Sequence, residues 1–553
     1  MGTSLSRLLS LVFLLCQLSA SAHTKVQPIP FQNLRIGGEL KTRIERNFQR
    51  LHGDKYQPDH VFLTMEQSGD WPGDTEGRTM LGLVLESQAL HKRPLYLTEI
   101  VKRIPSHLNE LGYMGPVYPQ YMHEQQLSGN GWMLRALCEY YLWKRDVHIK
   151  DAIDSLARHL FLPGIGQYSH YPIEEGGRTQ NVGEASGSIV STTGKWMLST
   201  DIGCVFIGME GLIHAFDITQ DTALQPAIEE LIQRFLEIDL VGIKAQTHAT
   251  LTACRGLVRY ALATNRQDLI EEAEKRFALY VEHGMTENYE NYNWFGRFDT
   301  WTEPCAIVDS YLLATQLWQA TGKSSYLEWA ELIYYNAICH TQRENGGFGC
   351  DNCPGQAEKT SLLQVKIPEA HWCCTMRGAE GLANAARFSC FENGKDVWLP
   401  FYHDAEMDII LKEKGILSLQ EETEYPFGNA VKLTVKKNTA GKVTLRLPLY
   451  SWMGNVKVKL NGKEIRYKKT DGFALFKRNF NTGDCIEVGM ELLEQQLEPL
   501  NKHNSLPQAG KRILRGPLML CQKGTSKELL PIYHLMSLDV LKEGYGIDIF
   551  PLP

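Results

Sequence analysis

The stretch AIVDSYLLATQLWQA (306–320), TGK (321–323) and YLEWAELIYYNAICH (326–340) decides the fold. Each flank carries apolar residues at three- and four-residue spacing, the period of a helix with one buried face. Thr321-Gly322-Lys323 between them is a helix-ending turn. The reading is a helical hairpin.

The same unit recurs along the chain. Arg78–Ala89 pairs with Tyr96–Leu108, and Gly131–Trp143 with Ile149–Leu160. Val205–Phe216 leads into Leu224–Ile238, Ala249–Ala263 into Leu269–His283, and Arg377–Phe388 begins a sixth pair. The segments between hairpins are dissimilar, which excludes a solenoid of identical repeats. Six such hairpins predict an (α/α)6 toroid, with all six first helices around the centre and their N-terminal ends on one face.

From about residue 397 the period changes to two. Val431–Val435, Val443–Leu447 and Val456–Leu460 alternate as half-buried strands do, and Asn461-Gly462 and Asp471-Gly472 are hairpin turns. The expected architecture is multidomain and mainly α, a toroid followed by an antiparallel β-sandwich. The expected boundaries are a signal peptide at 1–22, a catalytic toroid at 23–396 and a sandwich at 397–553.

Composition fits a folded protein: 43% of the 553 residues are hydrophobic and 22% charged. A net charge of −7 supplies no basic face for nucleic acid. Arg7, the apolar run Leu8–Leu15 and Ser19-Ala20-Ser21-Ala22 form a secretory signal, with cleavage expected after Ala22. That run is too short to span a bilayer, which takes about 20 apolar residues. Leu15 before Cys16 does not suit a lipoprotein cysteine. The expectation is an exported chain, periplasmic or secreted, without membrane insertion.

The toroid says where chemistry should lie. Residues at the start of each first helix converge on one face: Trp71, Asp74 and Glu76, then Asn130, Asp201 and His248, then Glu303 with Cys305, and finally Cys373-Cys374. Three thiols and a carboxylate suffice for a tetrahedral Zn2+. Two alternatives stay open on spacing alone: Cys350 and Cys353 could join Cys373 and Cys374 in a structural zinc site, or could bridge each other. Most other cysteines, such as Cys138, Cys204 and Cys254, sit singly in apolar stretches as small core residues.

Thr302-Glu303-Pro304-Cys305-Ala306, Thr321-Gly322 and Cys373-Cys374 resemble the β-L-arabinofuranosidases of glycoside hydrolase family 127. Thr423-Glu424-Tyr425-Pro426, Leu445-Arg446-Leu447-Pro448 and Leu514-Arg515-Gly516-Pro517-Leu518 extend the resemblance into the sandwich. It implies a retaining glycosidase with Cys373 as nucleophile and a zinc held by Glu303, Cys305, Cys373 and Cys374. The acid/base falls on Glu287 or Glu290, and His248 with Arg255 resembles the pair that contacts the sugar. Asp74 and Trp294 are further candidates for substrate contact, and Tyr289, Tyr292, Trp301 and Trp372 could add aromatic faces. The implied substrate is a plant-type oligosaccharide ending in β-L-arabinofuranose or a related sugar. The chain departs from the family at Gly208-Met209-Glu210, where a His is common, and at Thr375-Met376-Arg377-Gly378 after the cysteine pair. Two other readings compete: a toroid hydrolase or lyase for another sugar, and a non-catalytic, zinc-stabilised carbohydrate-binding protein.

Overall fold

The computed structural model describes residues 26–62, 71–178, 187–353, 362–411, 415–500, 510–524, 526–534 and 547–550. The signal sequence and Cys16 lie outside them. Twelve helices build the toroid: α1 (Gly38–Arg50), α2 (Asp74–Leu90), α3 (Leu97–His107), α4 (Glu124–Lys144), α5 (Val147–Leu156) and α6 (Val205–Thr219). They continue as α7 (Gln225–Leu236), α8 (Thr247–Thr264), α9 (Gln267–His283), α10 (Pro304–Thr321), α11 (Ser325–Ile333) and α12 (Cys374–Arg387).

The inner ring is α2, α4, α6, α8, α10 and α12. Each packs on the next, and α12 closes back on α2. Inner helices are buried on nearly every face, as α4 is from Glu124 to Cys138. The outer helices α3, α5, α7, α9 and α11 bury one stripe each against their inner partners. The close packing requires small residues. A Cβ on Gly211 would sit 2.3 Å from the carbonyl oxygen of Gly131, so α6 and α4 touch backbone to backbone. Helix ends follow local chemistry: Pro304 starts α10 with its fixed φ, and Gly322 ends it at φ +74°.

The sixth pair is not a sequential hairpin. Its outer member is α1, from the N-terminal region, which packs on both α12 and α2. Asn47 donates to the carbonyls of Gly346 and Thr375, and Arg50 pairs with Glu369 at 2.8 Å. All inner helices except α6 also begin earlier than their apolar periodicity suggests. Asn130 therefore lies inside α4, fully buried, donating to the carbonyl of Met114.

The β region has the alternating strands expected. A seven-stranded sheet runs Lys463–Glu464, Met453–Leu460, Cys485–Leu492, Ala430–Asn438, Gly415–Thr423, Ala405–Leu411 and Leu34–Ile36. A six-stranded sheet runs Gln27–Pro28, Phe391–Glu392, Asp396–Trp398, Lys442–Pro448, Phe473–Asn479 and Lys468–Thr470. One of its pairings, Asp396–Trp398 with Thr444–Arg446, is parallel. Both sheets thus take an edge strand from the N-terminal region. A third sheet joins Glu494–Leu497, Arg512–Arg515, Leu518–Lys523 and Ile547–Asp548 to Leu362–Leu363.

Candidate active site

Helix α10 begins Glu303-Pro304-Cys305, with Glu303 as its N-cap; α12 begins at Cys374, with Cys373 as its N-cap. These two inner helices are neighbours, so the four groups meet at one end of the toroid. The sulfur of Cys374 lies 3.3 Å from that of Cys373 and 3.9 Å from that of Cys305. Ligand atoms of the three thiols fall within 4.8 Å of one another, and those of Glu303, Cys305 and His248 do likewise. One oxygen of Glu303 is buried without a hydrogen-bond partner. The set of soft sulfurs and a free carboxylate oxygen fits a tetrahedral Zn2+.

The electrostatics oppose ionisation of these thiols, although they sit at helix N-termini. Burial pushes Cys305 and Cys374 well above the usual thiol range. For Cys373 the hydrogen bond with Cys305 pulls downward, but Cys374 and burial reverse it, and the net shift is also upward. Burial and the nearby charge of Asp201 push Glu303 up to about 8. Helix ends alone do not hold three crowded sulfurs as thiolates; a cation would.

Every cysteine among the described residues is free. That removes the Cys350–Cys353 bridge. The Cys350 thiol interacts with Cys374 and so adjoins the cluster, whereas Cys353 donates to the carbonyl of Asn291.

Behind the thiols the toroid is filled with charge. Trp132 carries the guanidinium of Arg78 at 4.0 Å, of Arg135 at 4.2 Å and of Arg377 at 4.6 Å from its ring. Asp309 binds Arg255 at 2.5 Å and Arg377 at 2.6 Å. Burial alone would raise its carboxyl, but those guanidiniums hold it well below the carboxylate range. Arg135 bridges Glu210 and Glu380. His248 sits between Glu303 (3.6 Å) and Asp309 (3.4 Å), and burial keeps its imidazole neutral. This network joins residues far apart in sequence and was not legible there.

The family model for the GH127 β-L-arabinofuranosidase catalytic domain matches residues 237–387, and that for the GH127 middle domain matches 396–492. Over these two segments the chain is similar to the GH127 glycoside hydrolases. Three solved structures carry the likeness across both halves. A glycoside hydrolase is 15% identical with a TM-score of 0.67, over 92% of this chain and 85% of that one. A GH127 β-arabinofuranosidase is 14% identical with a TM-score of 0.65, over 91% and 86%. A GH127 β-L-arabinofuranosidase from Geobacillus stearothermophilus T6 is 14% identical with a TM-score of 0.67, over 89% and 86%. At these identities the structures establish the fold. No curated protein matches the chain at a significant level.

The two acid/base candidates have different surroundings. Glu287 is buried, accepts the N–H of Leu500 at 2.5 Å and faces Arg512 at 3.4 Å, toward the third sheet. Glu290 is fully buried beside Asp351 and His340, near Cys350. Burial and the charge of Asp351 push its carboxyl well above the usual range, which favours the protonated form. Asp351 itself binds Arg343 at 2.6 Å and His340 at 3.1 Å. Sequence reading missed His340, Arg343 and Asp351; Thr302, whose hydroxyl accepts the N–H of Asp351, ties them to the Glu303 segment.

The remaining candidates fall in three places. Trp294 is in the core, edge-on to Trp301 at 5.3 Å, so it offers no platform to solvent. Asp74 lies in the first turn of α2 and binds Arg78 at 2.6 Å. Arg255 is committed to Asp309 and Glu380. Trp372, beside the cysteine pair, is 51% exposed and is the aromatic available to a ligand. Met209 is buried. A cleft of about 900 Å3 lies at the opposite end of the toroid, lined by Gln88, His91, Tyr140, Lys144 and Arg387, far from these groups.

Proposed function

We propose that the chain is an exported retaining glycosidase that removes a terminal β-L-arabinofuranosyl or related sugar from plant-type oligosaccharides. The observation that carries this reading is the convergence of Glu303, Cys305, Cys373 and Cys374 where the inner helices begin. Cys373 is partly exposed while Cys374 and Cys305 are buried, which favours Cys373 as the ligand that also attacks. Glu303, Cys305, Cys373 and Cys374 would hold Zn2+. When bound, the ion supplies the positive charge that keeps the thiols ionised.

The Cys373 sulfur forms a bond to the anomeric carbon as the glycosidic C–O bond breaks. The leaving oxygen takes a proton from a carboxylic acid. The same carboxylate then takes a proton from water, whose oxygen displaces the sulfur, so the configuration at carbon is retained. Glu290, whose burial favours the protonated form, and Glu287, already engaged by Leu500 and Arg512, are the two candidates for that acid. Export rests on the sequence of residues 1–22. No helix among the described residues is long and apolar enough to cross a membrane.

The test is a screen of aryl glycosides led by the β-L-arabinofuranoside, with the anomer of the product followed by NMR. Hydrolysis with retention supports the reading. An inverted product, or cleavage of pyranosides alone, refutes it.

A further inference from the structure

A second cavity, of about 330 Å3, lies where the toroid meets the sandwich. Its walls are aromatic and come from four parts of the chain. Tyr334 and Tyr335 follow α11, Tyr402 and Tyr425 come from the sandwich, Phe427 stands at the rim, and Tyr533 closes one side. The rings are steeply inclined to one another. Tyr402 and Tyr425 meet at 80°, Phe427 and Tyr533 at 61°, and Tyr335 and Tyr533 at 52°, with centroids 5.1–5.8 Å apart. They wall the space from several directions instead of forming one flat face.

The charged lining is one-sided. Glu39, Asp404 and Glu424 contribute carboxylates, and no Lys or Arg lines the cavity. Burial pushes the imidazole of His403 down to about 4, so it adds no positive charge at neutral pH. Glu39 pairs with Arg43, but among the described residues neither Asp404 nor Glu424 makes an ion pair. Tyr402 is 1% exposed, and its buried hydroxyl has no hydrogen-bond partner. The aromatic nest already accepts one cation from its protein side, where the guanidinium of Arg43 lies 4.4 Å from the Tyr533 centroid.

Aromatic faces attract cations through the ring quadrupole, and carboxylates without counter-ions add to that field. An unpaired buried hydroxyl oxygen asks for a donor or a positive charge. The geometry points to a binding site for a small organic ammonium ion at this junction, separate from the thiol cluster.

Titration of the intact protein with tetramethylammonium and with n-propylammonium, read by ligand-observed NMR and calorimetry, tests this. At least one should bind saturably, and neopentane-like neutral isosteres should not. Phe427→Ala, at the exposed rim, should weaken binding about tenfold. Glu424→Gln, an exposed change that removes charge without altering packing, should weaken it several-fold and reduce its salt dependence. Glycosidase turnover should be unchanged in both variants. Failure of both ions to bind overturns the proposal, as does equal binding of the neutral isostere. Preferential binding of L-arabinose or an oligosaccharide at these residues overturns it too, by making the cavity a sugar subsite.

Discussion

Arg78 points Nη1 at the sulfur of Cys305, 3.4 Å away, while Asp74 grips its Nε at 2.6 Å. The pair forms a lever: a carboxylate on the first turn of α2 aims a positive charge at a thiol on α10.

Asp74→Asn should therefore weaken zinc retention by about 10–100-fold, the range typical of groups that support a metal ligand. Competition with a chelator measures it. If Asp74 instead touched the sugar directly, the variant would raise KM and leave metal affinity untouched.

Cys373→Ser should lower turnover by at least about three orders of magnitude and leave the melting temperature within a few degrees. A furanoside electrophile should label Cys373 in the parent protein and no other residue, as peptide mass spectrometry would show. Labelling of a carboxylate would end the cysteine mechanism.

The acid candidates separate by leaving group. Replacing the true acid with Gln slows unactivated glycosides far more than aryl glycosides with good leaving groups, which need little protonation. We expect that signature from Glu290→Gln. Glu287→Gln should instead destabilise the fold by about 3 kcal/mol, because it leaves Arg512 buried beside an uncharged partner. Denaturant unfolding distinguishes the two.

Much of the architecture was written in local patterns. Thr321-Gly322-Lys323 ends α10 with Gly322 at positive φ, and Asn461-Gly462 and Asp471-Gly472 turn strands with both residues at positive φ. These features need only neighbours a few residues away. The clustering of Cys305, Cys373 and Cys374 beside Glu303 was legible because helix starts are local and the ring brings them together. The charge network was not: Arg135, Arg255 and Arg377 find Asp309 and Glu380 from three different helices. Trp294 failed for a related reason. Its loop carries several aromatics, and only tertiary packing decides which one faces in.

Glu86, inside α2, predicts a pH effect. Both of its carboxylate oxygens are buried without partners, and burial pushes its pKa well above the ordinary value. The folded chain therefore keeps a proton that the unfolded chain gives up near the usual carboxylate range. Stability contributed at acid pH falls as pH rises from that range toward the folded pKa, by about 1.4 kcal/mol per unit. Glu86→Gln, which cannot ionise, should match the parent near pH 4 and melt at a higher temperature near pH 8. A Glu86→Gln melting curve that tracks the parent at both values would show that the carboxyl is solvated.

Helix α1 and the segment it secures are joined by Asn47 and Thr375, whose contact spans 328 residues of chain. The apolar stripe of Leu40, Ile44 and Phe48 is synthesised early, and half of its packing, against α12, must wait for more than 300 further residues. Contacts of such long range are costly to close and leave apolar surface bare meanwhile. The seam between α1 and α12 therefore closes the ring from the two far ends of the toroid sequence, and it does so through Thr375, next to Cys374.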